Sequence, residues 1–347
     1  VALNGEWEYY DNQFLFPSDF SHNSKTSPVP EYRTLPGQLS SAYGYGTYRL
    51  TFSFLGTSDL YSLRLTAVPG AARIYIDGNL LSDIGFTSSL KESSETIKDN
   101  QYVVFPLDIM RQTHEIIIQV SNFSNYRFGM SSPIYFGTQI DGYRLSSQFK
   151  FAESVGLMSV GVLAILLIFL LIFKIQMKGT FYLLIFTLSF SFHLIYSSTD
   201  LLTQPVHSSA YLIMTKIHAF LYCIMGLCMI LSAMQTDHKT EKLPYIKKLY
   251  LYCVPVLFIA IFFSPDRFFF CAKTLTIIYL IITFLHTMLL LLRRILNNSN
   301  SALMLHLSFV FFSSYFILLY FNSHGMVSAI SYNGSYTFLL IAYVTSQ

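Results

Sequence analysis

Charged residues are scarce in this chain. Asp, Glu, Lys and Arg make up 12% of its 347 residues, about half of the roughly 25% that soluble globular domains contain. Charged residues are scarcest in residues 151–347, because residues 1–150 hold 25 of the 41. Residues 151–347 carry 11 basic and 5 acidic side chains, a net charge of +6. This low density of charge indicates a membrane domain there and argues against a second soluble domain.

Cysteine is absent from the first 150 residues. The four cysteines of the chain are Cys223, Cys228, Cys253 and Cys271. The first part therefore has no disulfide bonds, and its length is sufficient to bury a core without them. Cys223 and Cys228 are five residues apart and do not share a helical face, so their spacing does not favour a metal site. We expect no metal and no cofactor in this chain.

Long apolar runs are also absent before residue 155. The run 155–173 then has nineteen residues without a charge, enough to cross the roughly 30 Å hydrocarbon core as a helix. Six further runs follow, which predicts an all-α bundle of seven transmembrane helices over residues 149–347. The predicted helices are about 155–173, 181–198, 211–235, 247–263, 268–292, 302–321 and 326–344.

The basic residues between these runs predict an orientation. Eight of them lie in the loops after runs one, three and five, and the alternate loops hold only Arg267. Basic loops remain on the cytoplasmic side of a membrane. We therefore expect a multi-pass protein of the plasma membrane, with the first part outside and the C-terminal end in the cytoplasm. The eight basic residues are Lys174, Lys178, Lys239, Lys242, Lys247, Lys248, Arg293 and Arg294.

The first part has the pattern of β-strands. Polar and apolar residues alternate over residues 46–55, and Asp77-Gly78 fits the type I′ turn of a tight hairpin. No segment before residue 148 keeps a 3.6-residue period. These patterns predict an all-β sandwich or jelly roll over residues 1–148. Trp7, the single Trp of the chain, is expected in its core.

Three of these strands carry a resemblance. The segments 46–50 (GTYRL), 72–78 (ARIYIDG) and 118–122 (IQVSN) resemble, in this order, the non-catalytic jelly-roll domain of β-galactosidases and β-glucuronidases. A galactose-binding-like jelly roll followed by seven helices is similar to the bacterial seven-transmembrane receptors with diverse intracellular signalling modules. Segments 3–10 and 121–137 also resemble that family. The resemblance implies a sensory receptor with a cytoplasmic output module in cis, such as a histidine kinase, a diguanylate cyclase or a phosphatase.

Aromatic and polar residues in two loops suggest a carbohydrate ligand, because sugars stack on aromatic rings and bond to amide and guanidinium groups. The alternative is a purely structural role, in which the tyrosines pack at the rim of the sandwich and the asparagines cap turns. The carboxylates are scattered, whereas glycoside hydrolysis needs a facing pair. We therefore predict binding without catalysis in this chain. The candidate residues are Tyr43, Tyr45, Arg49, Asn122, Asn125, Tyr126 and Arg127.

Ionisable residues within the apolar runs are candidates for coupling, since buried charge in a membrane is costly. Lys216 either reaches the interface with its ammonium group or pairs with Asp200, which ends the second run. The histidines are expected to be neutral and hydrogen-bonded between helices. The short segment 141–150 contains one Gly and no Pro, so it can transmit motion to the first helix. The coupling candidates are Asp200, Lys216, His218, Lys273 and His286.

Two other functions are weighed against a bacterial receptor. A eukaryotic G-protein-coupled receptor is disfavoured, because the third run ends without Asp-Arg-Tyr and the seventh without Asn-Pro-x-x-Tyr. A transporter or membrane enzyme with an accessory glycan-binding domain lacks an acidic residue at mid-membrane. The expected partners are an extracellular small molecule or glycan, membrane lipid and the output module. A homodimer is left open, and no nucleic acid is expected.

Overall fold

The computed structural model describes residues 1–20, 29–37, 43–54, 56, 58–65, 70–95, 97–98, 101–108, 110–123, 130, 132–173, 179–197, 206–235, 244–296, 302–303, 305–307 and 309–310. The chain divides into two compact units. The described part of the first, the sheet unit, comprises residues from 1–150 and residues 206–211. The described part of the second, the helical unit, comprises residues from 151–197 and 212–310.

Three open antiparallel sheets form most of the sheet unit, as the alternating pattern predicts. The six-stranded sheet has the order β2 (Glu31–Leu35), β1 (Gly5–Asp11), β3 (Gly44–Ser53), β9 (Thr113–Asn122), β5 (Ala71–Ile76) and β6 (Asn79–Ile84). The three-stranded sheet has the order β10 (Ile134–Thr138), β4 (Leu60–Leu65) and β8 (Gln101–Pro106). In the third, β11 (Val206–His207) pairs with β7 (Ile97–Lys98). The jelly-roll connectivity remains a prediction.

One apolar core joins the two larger sheets. Trp7 and Tyr48 from the six-stranded sheet, and Tyr61 and Phe136 from the three-stranded sheet, belong to a single buried cluster. The rings of Tyr61 and Phe136 stack with their centroids 5.5 Å apart. Trp7 is 1% exposed, which confirms its predicted place in the core. Burial of these large rings stabilises the unit.

The Asp77-Gly78 turn has the predicted backbone. Both residues have positive φ, 47° and 88°, as the central positions of a type I′ turn require. The Asp77 carboxylate also accepts the Glu115 backbone N–H over 2.9 Å and contacts His114 Nδ1 over 2.7 Å. The side chain thus ties the hairpin to β9 and offsets the strain of a positive φ in a non-glycine residue.

Five helices in the described residues are long and apolar enough to cross a membrane. Their bounds are α1 (Gln139–Ile172), α2 (Thr180–Ser197), α3 (Ser208–Gln235), α4 (Pro244–Phe262) and α5 (Asp266–Ile295). The described residues among 302–310 are also helical, within the predicted sixth run. The rest of that run and the seventh run lie outside the described residues, so the count of seven remains a prediction.

Helix α1 starts earlier than predicted. It begins at Gln139, whereas the apolar run predicts a start near residue 155. Residues 139–154 are too polar to be recognised as part of a membrane-spanning run. The segment 141–150, expected to be a short linker, is therefore the first part of this helix.

Candidate functional site

The outer face of the six-stranded sheet, which points away from the shared core, is crossed by residues 13–20. The Thr47 hydroxyl donates to the Gln13 carbonyl over 2.8 Å and accepts the Leu15 N–H over 3.0 Å. The Gln119 amide donates to the Leu15 carbonyl over 3.0 Å. Thr47 and Gln119 are consequently buried. These bonds thus seal the middle of the outer face at Thr47 and Gln119.

Arg49 lies beside the sealed region, in a cluster that we call the Arg49 cluster. Its guanidinium donates from Nε to Glu115 over 2.6 Å and from Nη1 to Glu8 over 3.0 Å. The Phe20 ring covers the guanidinium, with 4.3 Å between the ring centroid and Cζ. Tyr10 donates its hydroxyl to Glu8 over 2.7 Å. The five residues bring charged groups, a buried phenol and an aromatic ring together in one partly exposed site.

The charges of the Arg49 cluster are interdependent. Burial alone would lower the pKa of Arg49, but its hydrogen bonds to Glu115 and Glu8 raise that pKa above its ordinary value. Burial, followed by the hydrogen bond to Glu8, raises the pKa of Tyr10. One guanidinium and two carboxylates give the cluster a formal charge of −1. Such a site suits a neutral polyhydroxyl ligand better than an anionic one.

Tyr45 and Asn122 lie at the other end of the same strand pair. Tyr45 is opposite Ser121 in the register of β3 and β9, and its ring lies 4.9 Å from that of Phe14. Asn122 is completely buried, so protein surrounds its side chain. Tyr45 and Arg49 share the outer face, about 13 Å apart along the strand at 3.3 Å per residue.

The structure brings some predicted residues together and leaves others undescribed. Tyr43 is half-buried just before β3, close in the chain to Tyr45. Asn125, Tyr126 and Arg127 lie outside the described residues. Glu8, Tyr10, Phe20 and Glu115 were not predicted, because they meet Arg49 only through strand pairing and chain reversal.

The first turns of α1 pack on the three-stranded sheet. Thr138 caps the helix, since its hydroxyl accepts the Asp141 N–H over 3.3 Å and donates to the Asp141 carboxylate over 2.7 Å. Tyr102 donates its hydroxyl to the Gln139 carbonyl over 2.9 Å. A methyl group added at Gly142 would overlap Ser62 and lie 2.8 Å from the Tyr102 ring. The helix therefore rests directly on the sheet at this glycine.

A second contact holds the third turn of α1. Arg64 on β4 is 4% exposed, and its guanidinium lies 4.3 Å from the centroid of the Phe149 ring. Cation–π contacts of this kind are strongest when water is excluded. Residues from Gln139 to Phe149 are thus fixed to the sheet unit, and we call this region the α1 joint.

Two strands lead into helices without a loop. β10 ends at Thr138 and α1 begins at Gln139, while β11 ends at His207 and α3 begins at Ser208. Since β11 pairs with β7, the start of α3 is held by a strand of the sheet unit. The sheet unit therefore holds the beginnings of two candidate membrane helices.

Polar pairs connect the helices of the helical unit. His193 Nδ1 on α2 lies 2.7 Å from His218 Nε2 on α3, and both side chains are buried. His286 on α5 contacts the Tyr250 hydroxyl on α4 over 2.8 Å. Lys216 donates to the Phe262 carbonyl over 3.5 Å. Lys273 is half-buried on α5, and Asp200 lies outside the described residues.

Among solved structures, the chain is similar to two glycosidases. The GH2 beta-galacturonidase of Eisenbergiella tayi bound to galacturonate shares 15% identity over 39% of this chain and 23% of its own, with a TM-score of 0.27. The beta-glucuronidase of Ruminococcus gnavus shares 11% over 39% and 28%, with a TM-score of 0.28. The match thus spans about a quarter of each enzyme. No family model and no curated protein sequence matches the chain.

Proposed function

We propose that this chain is a sensory receptor of the plasma membrane. In this proposal an extracellular jelly-roll domain, residues 1–148, captures a carbohydrate. The seven-helix domain, residues 149–347, relays the event to a cytoplasmic signalling module in cis. The observation that carries the proposal is the continuity of α1, because one uninterrupted helix begins at the α1 joint and continues as an apolar span.

The ligand site of this proposal lies on the outer face beside residues 13–20. The Arg49 cluster supplies carboxylate and guanidinium groups for sugar hydroxyls, and Tyr45 supplies an aromatic surface about 13 Å away. A ligand that contacts both has to pass over residues 13–15, which cover Thr47 between them, and this length suits two or three sugar units rather than one. The cluster's formal charge of −1 favours neutral sugars over uronic acids. A short neutral oligosaccharide is therefore the proposed ligand.

Transmission requires two arrangements of the protein that the ligand binds with different affinity. Helices α1 and α3 begin at different sheets of the sheet unit, the three-stranded sheet and the β7–β11 pair. A ligand that shifts one of these sheets against the other changes the position of α1 relative to α3. Because His193 on α2 and His218 on α3 are in buried contact, a movement of α3 then also displaces α2.

Ligand binding is tested with the 347-residue chain in lipid nanodiscs on an array of neutral and acidic glycans. We expect binding of neutral oligosaccharides that is weakened at least tenfold by Arg49→Ala and by Tyr45→Ala. Arg73→Ala is the matched control, because Arg73 forms a separate ion pair with Asp83 on the same sheet. An array without hits, or hits that both variants retain, contradicts the carbohydrate site.

Relay is tested by spin labels at residues 172 and 235, near the far ends of α1 and α3. The glycan found on the array should change the distance between the labels. A six-residue Gly-Ser insertion after Ser147 should abolish that change while binding is retained, because it interrupts α1 within the α1 joint. An unchanged response would show that α1 does not carry the signal. Glycan uptake by proteoliposomes would instead support the transporter.

A further inference from the structure

Strand β2 forms one edge of the six-stranded sheet. Among the described residues it pairs with β1 and with no other strand. An edge strand presents backbone N–H and C=O groups that can pair with another strand. Four of its five residues, Glu31 to Thr34, are exposed. β2 is therefore a surface at which an added strand would continue the sheet.

The side chains of β2 are arranged in a self-complementary way. Glu31 lies opposite Tyr9 and Arg33 opposite Trp7, so both project to the face that carries the core. Tyr32 lies opposite Glu8 and projects to the outer face, with 65% of its surface exposed. Arg33 and Glu31 form an ion pair of 2.5 Å, with 43% and 58% of their side chains exposed. One positive and one negative charge thus flank a central tyrosine.

We propose that β2 pairs with β2 of a second copy of this chain, antiparallel and about a two-fold axis at Tyr32. In this register each Tyr32 faces its counterpart on the outer face. Glu31 of each copy faces Arg33 of the other on the opposite face. Cross-strand pairs of opposite charge and of aromatic rings stabilise antiparallel sheets. The sheets of the two copies then join into one sheet of twelve strands.

Other two-fold registers are less favourable. An axis at Arg33 places the two Arg33 guanidinium groups opposite each other, and an axis at Glu31 does the same with two carboxylates. Like charges directly opposite one another destabilise a sheet. The charges of β2 therefore favour the register centred on Tyr32 over these two.

Prolines limit the extent of the pairing. Pro30 and Pro36 flank β2 directly, and neither has a backbone N–H to donate. The pairing is thereby confined to the five residues between them. Because a two-fold contact uses the same strand of both copies, it closes as a dimer and leaves no β2 edge for a third copy.

The contact is tested by disulfide cross-linking of Tyr32→Cys in the 347-residue chain in nanodiscs or membranes. Directly opposed residues of an antiparallel pair have Cα atoms about 4.5–5.5 Å apart, within reach of a disulfide bond. We expect a cross-linked dimer under mild oxidation. Leu80→Cys is the matched control, since Leu80 is 57% exposed on β6 at the other edge of this sheet. Cross-linking of Tyr32→Cys no greater than that of Leu80→Cys would overturn the proposal.

The register is tested by reversing single charges in chains that also carry Tyr32→Cys. Glu31→Arg gives each β2 two positive charges and Arg33→Glu gives two negative charges, so each variant alone should cross-link at least fivefold less. Mixed together, the two variants restore opposite charges at both cross-strand positions. Different tags on the two chains identify the mixed dimer, which should form preferentially. Random mixing of the two variants would contradict this register. Both variants lose the ion pair within each strand, so that loss by itself cannot favour the mixed dimer.

Discussion

The guanidinium of Arg64 on β4 lies 4.3 Å from the centroid of the Phe149 ring on α1. Arg64 is almost completely buried, which is unusual for a charged side chain. The ring shields this charge from water, and the charge is attracted to the face of the ring. The pair fixes the third turn of α1 to the three-stranded sheet.

Replacing the ring should loosen this turn. Phe149→Leu keeps an apolar side chain but removes the π face, so we expect a loss of about 1 kcal/mol in the free energy of unfolding of the sheet unit. Trp7 is the single Trp of the chain and is 1% exposed, so its fluorescence reports this unfolding. Phe151→Leu, at a position 71% exposed, should change the free energy little. Equal effects of the two variants would contradict the role of the ring.

A larger side chain at Gly142 should destabilise the sheet unit. Gly142→Ala gains about 1 kcal/mol of helix propensity but places a methyl group against Ser62 and Tyr102, at a cost of about 1–3 kcal/mol. We expect a net loss of about 1 kcal/mol, measured by Trp7 fluorescence in urea. Ser62→Gly in the same chain should restore part of it. Gly161→Ala is the control, because nothing lies within 4 Å of its added methyl group.

The sheet unit should lose stability at alkaline pH. Burial raises the pKa of Tyr9, Tyr10 and Tyr48 above 10 in the folded state. The unfolded chain therefore binds fewer protons than the folded chain once the pH exceeds about 10, and the free energy of unfolding falls as pH rises. Each tyrosine contributes a slope of up to about 1.4 kcal/mol per pH unit.

Tyr10→Phe should remove one of these contributions. Its free energy of unfolding should fall less steeply between pH 10 and 11.5, and should run parallel to that of the unaltered chain between pH 7 and 9. Urea unfolding followed by Trp7 fluorescence at each pH gives both slopes. Identical slopes above pH 10 would show that the Tyr10 phenol ionises as readily in the folded chain as in the unfolded one.

The contact between His193 and His218 should appear in a double-mutant cycle. Interhelical hydrogen bonds in membrane proteins contribute about 0.6 kcal/mol on average, and up to about 1.7. We expect a coupling in this range between His193→Leu and His218→Leu, measured by thermal unfolding in nanodiscs. His193→Leu and His286→Leu serve as the control pair, because His286 bonds to Tyr250 instead. Additive effects in the first pair would contradict the bond.

Local patterns predict the elements that depend on a few neighbouring residues. The alternation over 46–55 corresponds to β3, because a strand with one face on the core needs apolar residues at every second position. The turn at Asp77-Gly78 was predicted because positive φ restricts the choice of residue. The apolar run from residue 155 belongs to α1, because a membrane-spanning helix needs about twenty apolar residues.

Strands that are defined only by their pairing with another strand were not predicted. β2 has four exposed residues and one buried residue, so no alternation identifies it. β7 and β11 have two residues each and are defined by their pairing with each other, across more than one hundred residues of chain. The predicted candidate Arg49 was found without its partners, since Glu8 and Glu115 lie 41 and 66 residues away.

The sequence by itself determined an acidic, cysteine-free part rich in strands, and a second part with apolar runs of membrane-spanning length. Both follow from composition and periodicity, which act over a few residues and need no knowledge of distant contacts. Only the tertiary structure decided that α1 begins at Gln139. Thr138 caps this helix, and Gly142 lets it pack closely on the three-stranded sheet. That helix start depends on a hydrogen-bond partner and a packing surface from β4 and β8, which lie 33 or more residues earlier in the chain.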